Sequence, residues 1–202
     1  MRLGLFGGTF DPPHYGHLRL AEAAHQQLHL DKLLWALTAA PPHKHGNPIS
    51  PVTDRLAMAL AALAALPAHE LSRVDIDRPG PHYSADTLAL LAQQYPNDEL
   101  IFLMGGDLLR DLPTWHRPLD LLRHCSLGVL RRPGDSIDSN LMAQLEHALP
   151  GLTAKVAFVD APPADIASHT IRQRVRAGQS LEGLVPEAVA VIIRERSLYR
   201  ED

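Results

Sequence analysis

Short apolar runs alternate with helical patterns along almost the whole of this 202-residue chain, and that alternation limits the folds open to it more than any other feature. Strands are expected at 2–6, 32–37, 72–76, 99–103, 126–130 and 155–158. Helical periodicity fills the intervals near 15–28, 53–65, 84–95, 107–111 with 117–123, and 139–147. Two more helices, near 169–177 and 186–195, close the chain. Brief apolar strands separated by helices read as α/β, a doubly wound parallel sheet covered by helices on both faces. Ligands of such sheets gather at the carboxyl ends of the strands, beside the switch in winding direction. The length suits one domain, 1–202, with the helices from about 166 onward packed on the same core.

The first strand runs straight into Gly7-Gly8-Thr9-Phe10-Asp11-Pro12-Pro13-His14-Tyr15-Gly16-His17. Two glycines permit a tight turn with backbone angles a β-carbon forbids, and the prolines halt regular structure. His14 and His17 then share one face of the opening turn of a helix. A helix start carries unpaired N–H groups and partial positive charge. With two imidazoles and the Thr9 hydroxyl added, the corner reads as a receptor for a polyphosphate. Two other readings stand beside it. The histidines could hold a metal with a third ligand from elsewhere, or lie on the surface of an ordinary strand–turn–helix. The segment has neither the spacing of a dinucleotide fingerprint nor a P-loop ending.

Composition narrows the classes. A net charge of −4 argues against a nucleic-acid surface, which would be basic, while leaving room for a phosphate ligand. Cys125 is the only cysteine, so no intrachain disulfide forms. No secretory signal is evident, and the apolar stretch 56–66 is too short to span a bilayer. A cytoplasmic protein without membrane or nucleic-acid partners is expected, and a homo-oligomer stays open.

Further candidates sit where strands end. Lys44, on the proline-rich loop 40–51, can reach over the edge that carries the glycine turn, or be a solvated lysine. Thr53 is a candidate cap for the next helix, and Arg55 is either a surface charge or a structural group near the site. Ser84 reads as the N-cap of its helix, and free N–H groups around Ser84 and Ala85 suit a carboxylate. Thr87 brings a hydroxyl to the same first turn. Asp107 follows a glycine pair after a strand, where a carboxylate accepts from two ribose hydroxyls or caps a helix. Trp115, beside a proline turn, is a core residue or a flat surface on which a pyridinium ring stacks. Trp35 lies inside a strand and reads as packing. Arg131 and Arg132 end the fifth strand, and Arg172 offers a planar fork suited to phosphate.

The run from Gly7 to His17 resembles the H-x-G-H signature of the nucleotidylyl-transferring α/β superfamily, and its longer form is similar to the bacterial nicotinate mononucleotide adenylyltransferases. The resemblance extends from Leu3 to the closing Ser197-Leu198-Tyr199-Arg200. It implies a Rossmann-like fold and the joining of ATP to nicotinate mononucleotide, giving nicotinate adenine dinucleotide and pyrophosphate. It further implies that His14, His17, Lys44 and Arg172 stabilise the reacting phosphates, with Mg2+ carried by those phosphates. Gly7, Gly8, Thr9, Phe10, Gly105, Asp107, Arg132 and Ser168 would lie on the ATP side. Ser84, Ala85, Thr87, Trp115 and His116 would lie on the nicotinate side. The segment Ile166 to Arg172 is similar to the family's I-S-x-T-x-I-R, but Ala167 and His169 stand where serine and threonine are usual. Two alternatives remain open: a sister nucleotidylyltransferase with another phosphorylated acceptor, and a non-catalytic nucleotide sensor.

Overall fold

The structure is a computed structural model that describes residues 1–39, 49–131, 137–160 and 166–200. Its elements run β1 (Arg2–Gly8), α1 (Tyr15–Gln27), β2 (Lys32–Leu37), α2 (Val52–Leu63), β3 (His69–Ser72), α3 (Ser84–Gln94), β4 (Glu99–Gly105) and α4 (Gly106–Asp111). They continue with α5 (Pro118–His124), β5 (Ser126–Arg131), α6 (Ser139–Ala148), β6 (Val156–Asp160), α7 (Ser168–Arg176) and α8 (Glu187–Glu195). Among the described residues the strands form one parallel sheet in the order β3-β2-β1-β4-β5-β6. The winding reverses between β1 and β4, so the carboxyl ends of those two strands define the crevice where a ligand fits.

Strand periodicity sorts the core. Leu3 and Leu5 of β1, Leu34 and Ala36 of β2, and Phe102 and Met104 of β4 face the cluster that also takes in α3, α5 and α6. Phe6, Leu33, Trp35, Leu37, Ile101 and Leu103 alternate with them and face α1 and Leu63 of α2. Trp35 is fully buried there, as its strand position predicts. A third cluster joins Met58 and Ala62 of α2 to Ile171 of α7 and to Val189, Ala190 and Ile193 of α8. Cys125 is a buried packing residue whose thiol is pushed up to about 12 by burial. Among the described residues no helix is long and apolar enough to cross a membrane.

Three local expectations are corrected. The third strand is His69–Ser72 rather than 72–76, because Ile76 and Asp77 return their N–H groups to the Arg73 carbonyl and close a turn. Gly7 and Gly8 remain in β1, paired with Ala36 and Leu37, and are not the turn residues. The turn is made by Phe10, whose φ is +48°. A left-handed residue costs about 1–2 kcal/mol. Complete burial of the phenyl ring, 1 % exposed between Trp35 and Phe6, offsets that with about 1.5–3 kcal/mol. Finally, α2 begins at Val52 after Pro51, so Thr53 is inside the helix and caps nothing.

Candidate active site

The corner at the end of β1 is built on a reciprocal pair. His14 is the N-cap of α1: its Nδ1 accepts the His17 N–H, and the His17 Nδ1 accepts the His14 N–H, both at 3.3 Å. The two rings stack with centroids 3.7 Å apart and planes 29° from parallel. With each Nδ1 acting as acceptor, a neutral imidazole carries its proton on Nε2. Each ring is therefore an oriented Nε2–H donor. Gly16 has no room for a side chain, since a β-carbon would lie 2.9 Å from the His14 ring and 3.2 Å from the Ile166 carbonyl oxygen.

That arrangement revises the expected source of the donors. The Tyr15 N–H donates to the Leu184 carbonyl, the His17 N–H to His14 Nδ1, and the Leu18 N–H to the His14 carbonyl. Those amides of α1 are occupied, and the imidazoles take their place. His14 is only 5 % exposed, and burial holds it down to about 4 against an ordinary 6.5. Its folded value is depressed, so the unfolded chain takes up the proton first as pH falls. The stability contributed by neutral His14 is thus complete above about pH 6.5 and is lost progressively towards about pH 4. Urea unfolding followed across that window is expected to show a falling midpoint, with a smaller fall in His14→Asn; identical slopes in the two proteins would exclude His14 as the cause.

Beside this pair a cavity of about 630 Å³ opens over the ends of β1, β2 and β4. Gly7, Gly8, Thr9 and His17 line one side of it, and Ser84, Thr87, Trp115 and His116 line the other. Leu5, Ala36 and Phe102 supply its apolar floor, with Trp115 edge-on to Phe102 at 6.2 Å. His116 stacks on Tyr83 at 4.2 Å, and its Nε2 accepts from Arg117, which also pairs with Asp86 in the first turn of α3. Ser84 is the first residue of α3 rather than its N-cap; Tyr83 is the N-cap, and no side chain caps the helix. An uncapped helix start facing a cavity favours an anion. Ala85 brings only its backbone, because its methyl group is core.

Other expected residues lie apart from this cavity. The Phe10 ring is packed away in the core, so only its backbone remains for a ligand. Asp107 is exposed in the first turn of α4, beside Gly105, and makes no cap. Ser168 donates to the Pro12 carbonyl at 3.0 Å, and Arg172 Nη1 donates to the Asp11 carbonyl at 2.7 Å, which brings the start of α7 against the histidine loop. Lys44 and Arg132 lie outside the described residues. A wider hollow of about 1060 Å³ between α7 and α8, lined by Arg176, Glu182, Glu187 and Arg194, touches no strand end.

The sequence reading missed the buried carboxylate of Asp75 and left Arg55 open between two readings. Asp75, itself part of the cavity wall, accepts from the Thr87 hydroxyl at 2.7 Å and from Arg78 at 2.9 Å. Arg55, 2 % exposed, donates to four carbonyls: Ser50, Thr9, Thr38 and Ala39, at 2.8–3.1 Å. Of the two readings open for Arg55, the structural one is realised. The Thr87 partner of Asp75 and the carbonyls that Arg55 meets lie in other parts of the chain, so those pairings had no detectable signal in the sequence.

A switch-point crevice holding paired imidazole donors and an apolar cavity defines a nucleotide-binding α/β protein of the cytidylyltransferase-like class, and the Cytidylyltransferase-like family model matches residues 5–174. A probable nicotinate-nucleotide adenylyltransferase of Thermomicrobium roseum is 44% identical over 199 residues, 98% of this chain and 92% of its own length. Another from Thermus thermophilus is 40% identical over 200 residues, 99% of this chain and 100% of its own. The chain belongs to the nicotinate-nucleotide adenylyltransferase family. The fold matches that of the Plasmodium falciparum nicotinic acid mononucleotide adenylyltransferase complexed with NaAD, with a TM-score of 0.79 at 16% identity, covering 100% and 98% of the two chains.

Proposed function

We propose that the chain transfers the adenylyl group of ATP to nicotinate mononucleotide, releasing pyrophosphate. The observation that carries this reading is the cavity lined at one end by His17 and at the other by the uncapped start of α3. The acceptor's phosphate oxygen, already ionised, attacks the α-phosphorus; a new O–P bond forms and the bond to the β-phosphate oxygen breaks. No general base is needed. Catalysis comes from in-line placement and from donors aimed at developing charge. His14 and His17 act through Nε2–H, with Lys44 and Arg172 adding positive charge and Thr9 seating a phosphate. Gly7, Gly8, the Phe10 backbone, Gly105, Asp107, Arg132 and Ser168 serve the ATP side, with Asp107 on the ribose.

The donor set at the corner consists of N–H groups, which suit phosphate oxygens and offer a cation nothing. Mg2+ would therefore ride on the pyrophosphate portion, where it neutralises the departing charge. ATP as a substrate goes with the cytoplasmic setting expected from the sequence. On the other side of the cavity, Trp115 stacks on the pyridine ring, with Ser84, Thr87 and His116 around it and the Ala85 amide at the helix start. A helix start there prefers the acid over the amide. Pyrophosphate release with ATP is expected to be faster for nicotinate mononucleotide than for the nicotinamide form by about ten- to hundred-fold in kcat/KM, the worth of one charge-assisted hydrogen bond. Equal use of both acceptors would remove α3 from the recognition, and no release with either would leave the sensor reading.

A further inference from the structure

We infer that Tyr199, near the end of the described chain, is a positioning residue for the phosphate-gripping histidines, acting through the Asp11 carboxylate. The loop between β1 and α1 has an unusual need for outside support. Pro12 and Pro13 have no N–H, so the segment ahead of His14 cannot join a ladder and offers mainly carbonyls. Those carbonyls and their neighbours are met by the C-terminal part of the chain. Ser168 donates to the Pro12 carbonyl, Arg172 to the Asp11 carbonyl, and the Leu184 carbonyl takes the Tyr15 N–H. The Tyr199 hydroxyl completes the set, donating to Asp11 Oδ1 at 2.6 Å across 188 residues. The other carboxylate oxygen, Oδ2, accepts the Ser50 N–H at 3.1 Å.

Asp11 is 4 % exposed and lies outside the cavity lining, so its carboxylate serves structure around it rather than a substrate. Tyr199 remains a donor, because burial and the Asp11 carboxylate both push its phenol above the ordinary value. The backbone points the same way. Ser197 and Tyr199 have φ of +52° and +64°, left-handed values that non-glycine residues hold only when the surroundings dictate them. At Ser197 the cause is the end of α8, where the Ser197 and Leu198 N–H groups close onto the Arg194 and Ile193 carbonyls; at Tyr199 the left-handed backbone accompanies the seating of the ring beside Met58 with its hydroxyl on Asp11. Only Pro12 and Pro13 separate Asp11 from His14, and the His14 ring must hold both its stack and its cap to aim Nε2–H.

This inference rests on the adenylyl-transfer reading, which pyrophosphate release by the unaltered protein tests first. In the full chain, Tyr199→Phe is expected to lower kcat about ten- to hundred-fold with KM for ATP and acceptor within about two-fold, as misplacement of reacting groups does. Leu198→Ala, which loosens the same α2–α7–α8 packing without touching Asp11, is the reference for lost stability. Assayed below both melting points, it is expected to keep its kcat. Tyr199→Phe added to Asp11→Asn should cost nothing further. Unaltered kcat in Tyr199→Phe, an equal fall in Leu198→Ala, or additive effects in the double variant each overturn the inference. Should Tyr199→Phe not fold, Asp11→Asn alone carries the same comparison. Nitrogen-15 shifts of His14 supply a readout apart from activity: the Nε2–H tautomer is expected in the unaltered protein and a tautomer mixture in Tyr199→Phe, and identical spectra count against the idea.

Discussion

His17→Ala is expected to lower kcat by about two to three powers of ten, the effect of removing one preorganised donor from a developing oxyanion. Alanine removes two things at once, however: the Nε2–H proposed to meet phosphate and the Nδ1 that accepts the His14 N–H. Two amide side chains separate them. Asparagine can place its oxygen near the Nδ1 position and restore the cap, while glutamine reaches towards Nε2 with an N–H donor. If donation is the role, His17→Asn stays as slow as His17→Ala and His17→Gln recovers part of the rate. Recovery in the asparagine variant alone would make His17 a cap and nothing more. Pre-steady-state release of pyrophosphate is the measurement, since it reads the chemical step.

The second large effect belongs to Arg55. Arg55→Met preserves the apolar stem but leaves the carbonyls of Ser50, Thr9, Thr38 and Ala39 without their donor. Each stranded buried carbonyl costs about 1–3 kcal/mol, less where water can enter, so a loss of about 3 kcal/mol or more is expected. For a chain of this size that lowers Tm by about 10 °C. Arg55→Lys should rescue little, because one ammonium cannot meet four carbonyls spread over two loops. Thermal melts by circular dichroism check both variants; a fall of under about 2 °C in Arg55→Met would show that those carbonyls find water at no loss.

The alternation of short apolar strands with helices made the parallel sheet legible, and its period assigned Leu5 and Phe6 to opposite faces. Strand order was beyond the sequence, since pairing β1 with β4 rather than β3 is decided by packing. The corner itself was readable because His14 and His17 are three apart in one turn. Ring orientation was not, and so the reciprocal cap displaced the amides assigned to that role. Phe10 sits in a motif of site residues, yet its φ sends the ring into the core. Trp115 and Ser84 reach the cavity wall because each stands where a helix begins or a strand connection ends, features that local composition records. Asp75 with Thr87 and Asp11 with Tyr199 depend on contacts between distant segments, which local patterns do not encode.

The hydrogen bond between Tyr199 and Asp11 also has a temporal side. Synthesis proceeds from the N-terminus, so the histidine-bearing loop leaves the ribosome long before the helices that steady it. Until α7, α8 and Tyr199 arrive, the nascent protein carries the motif without its brace and so should not commit nucleotide to reaction.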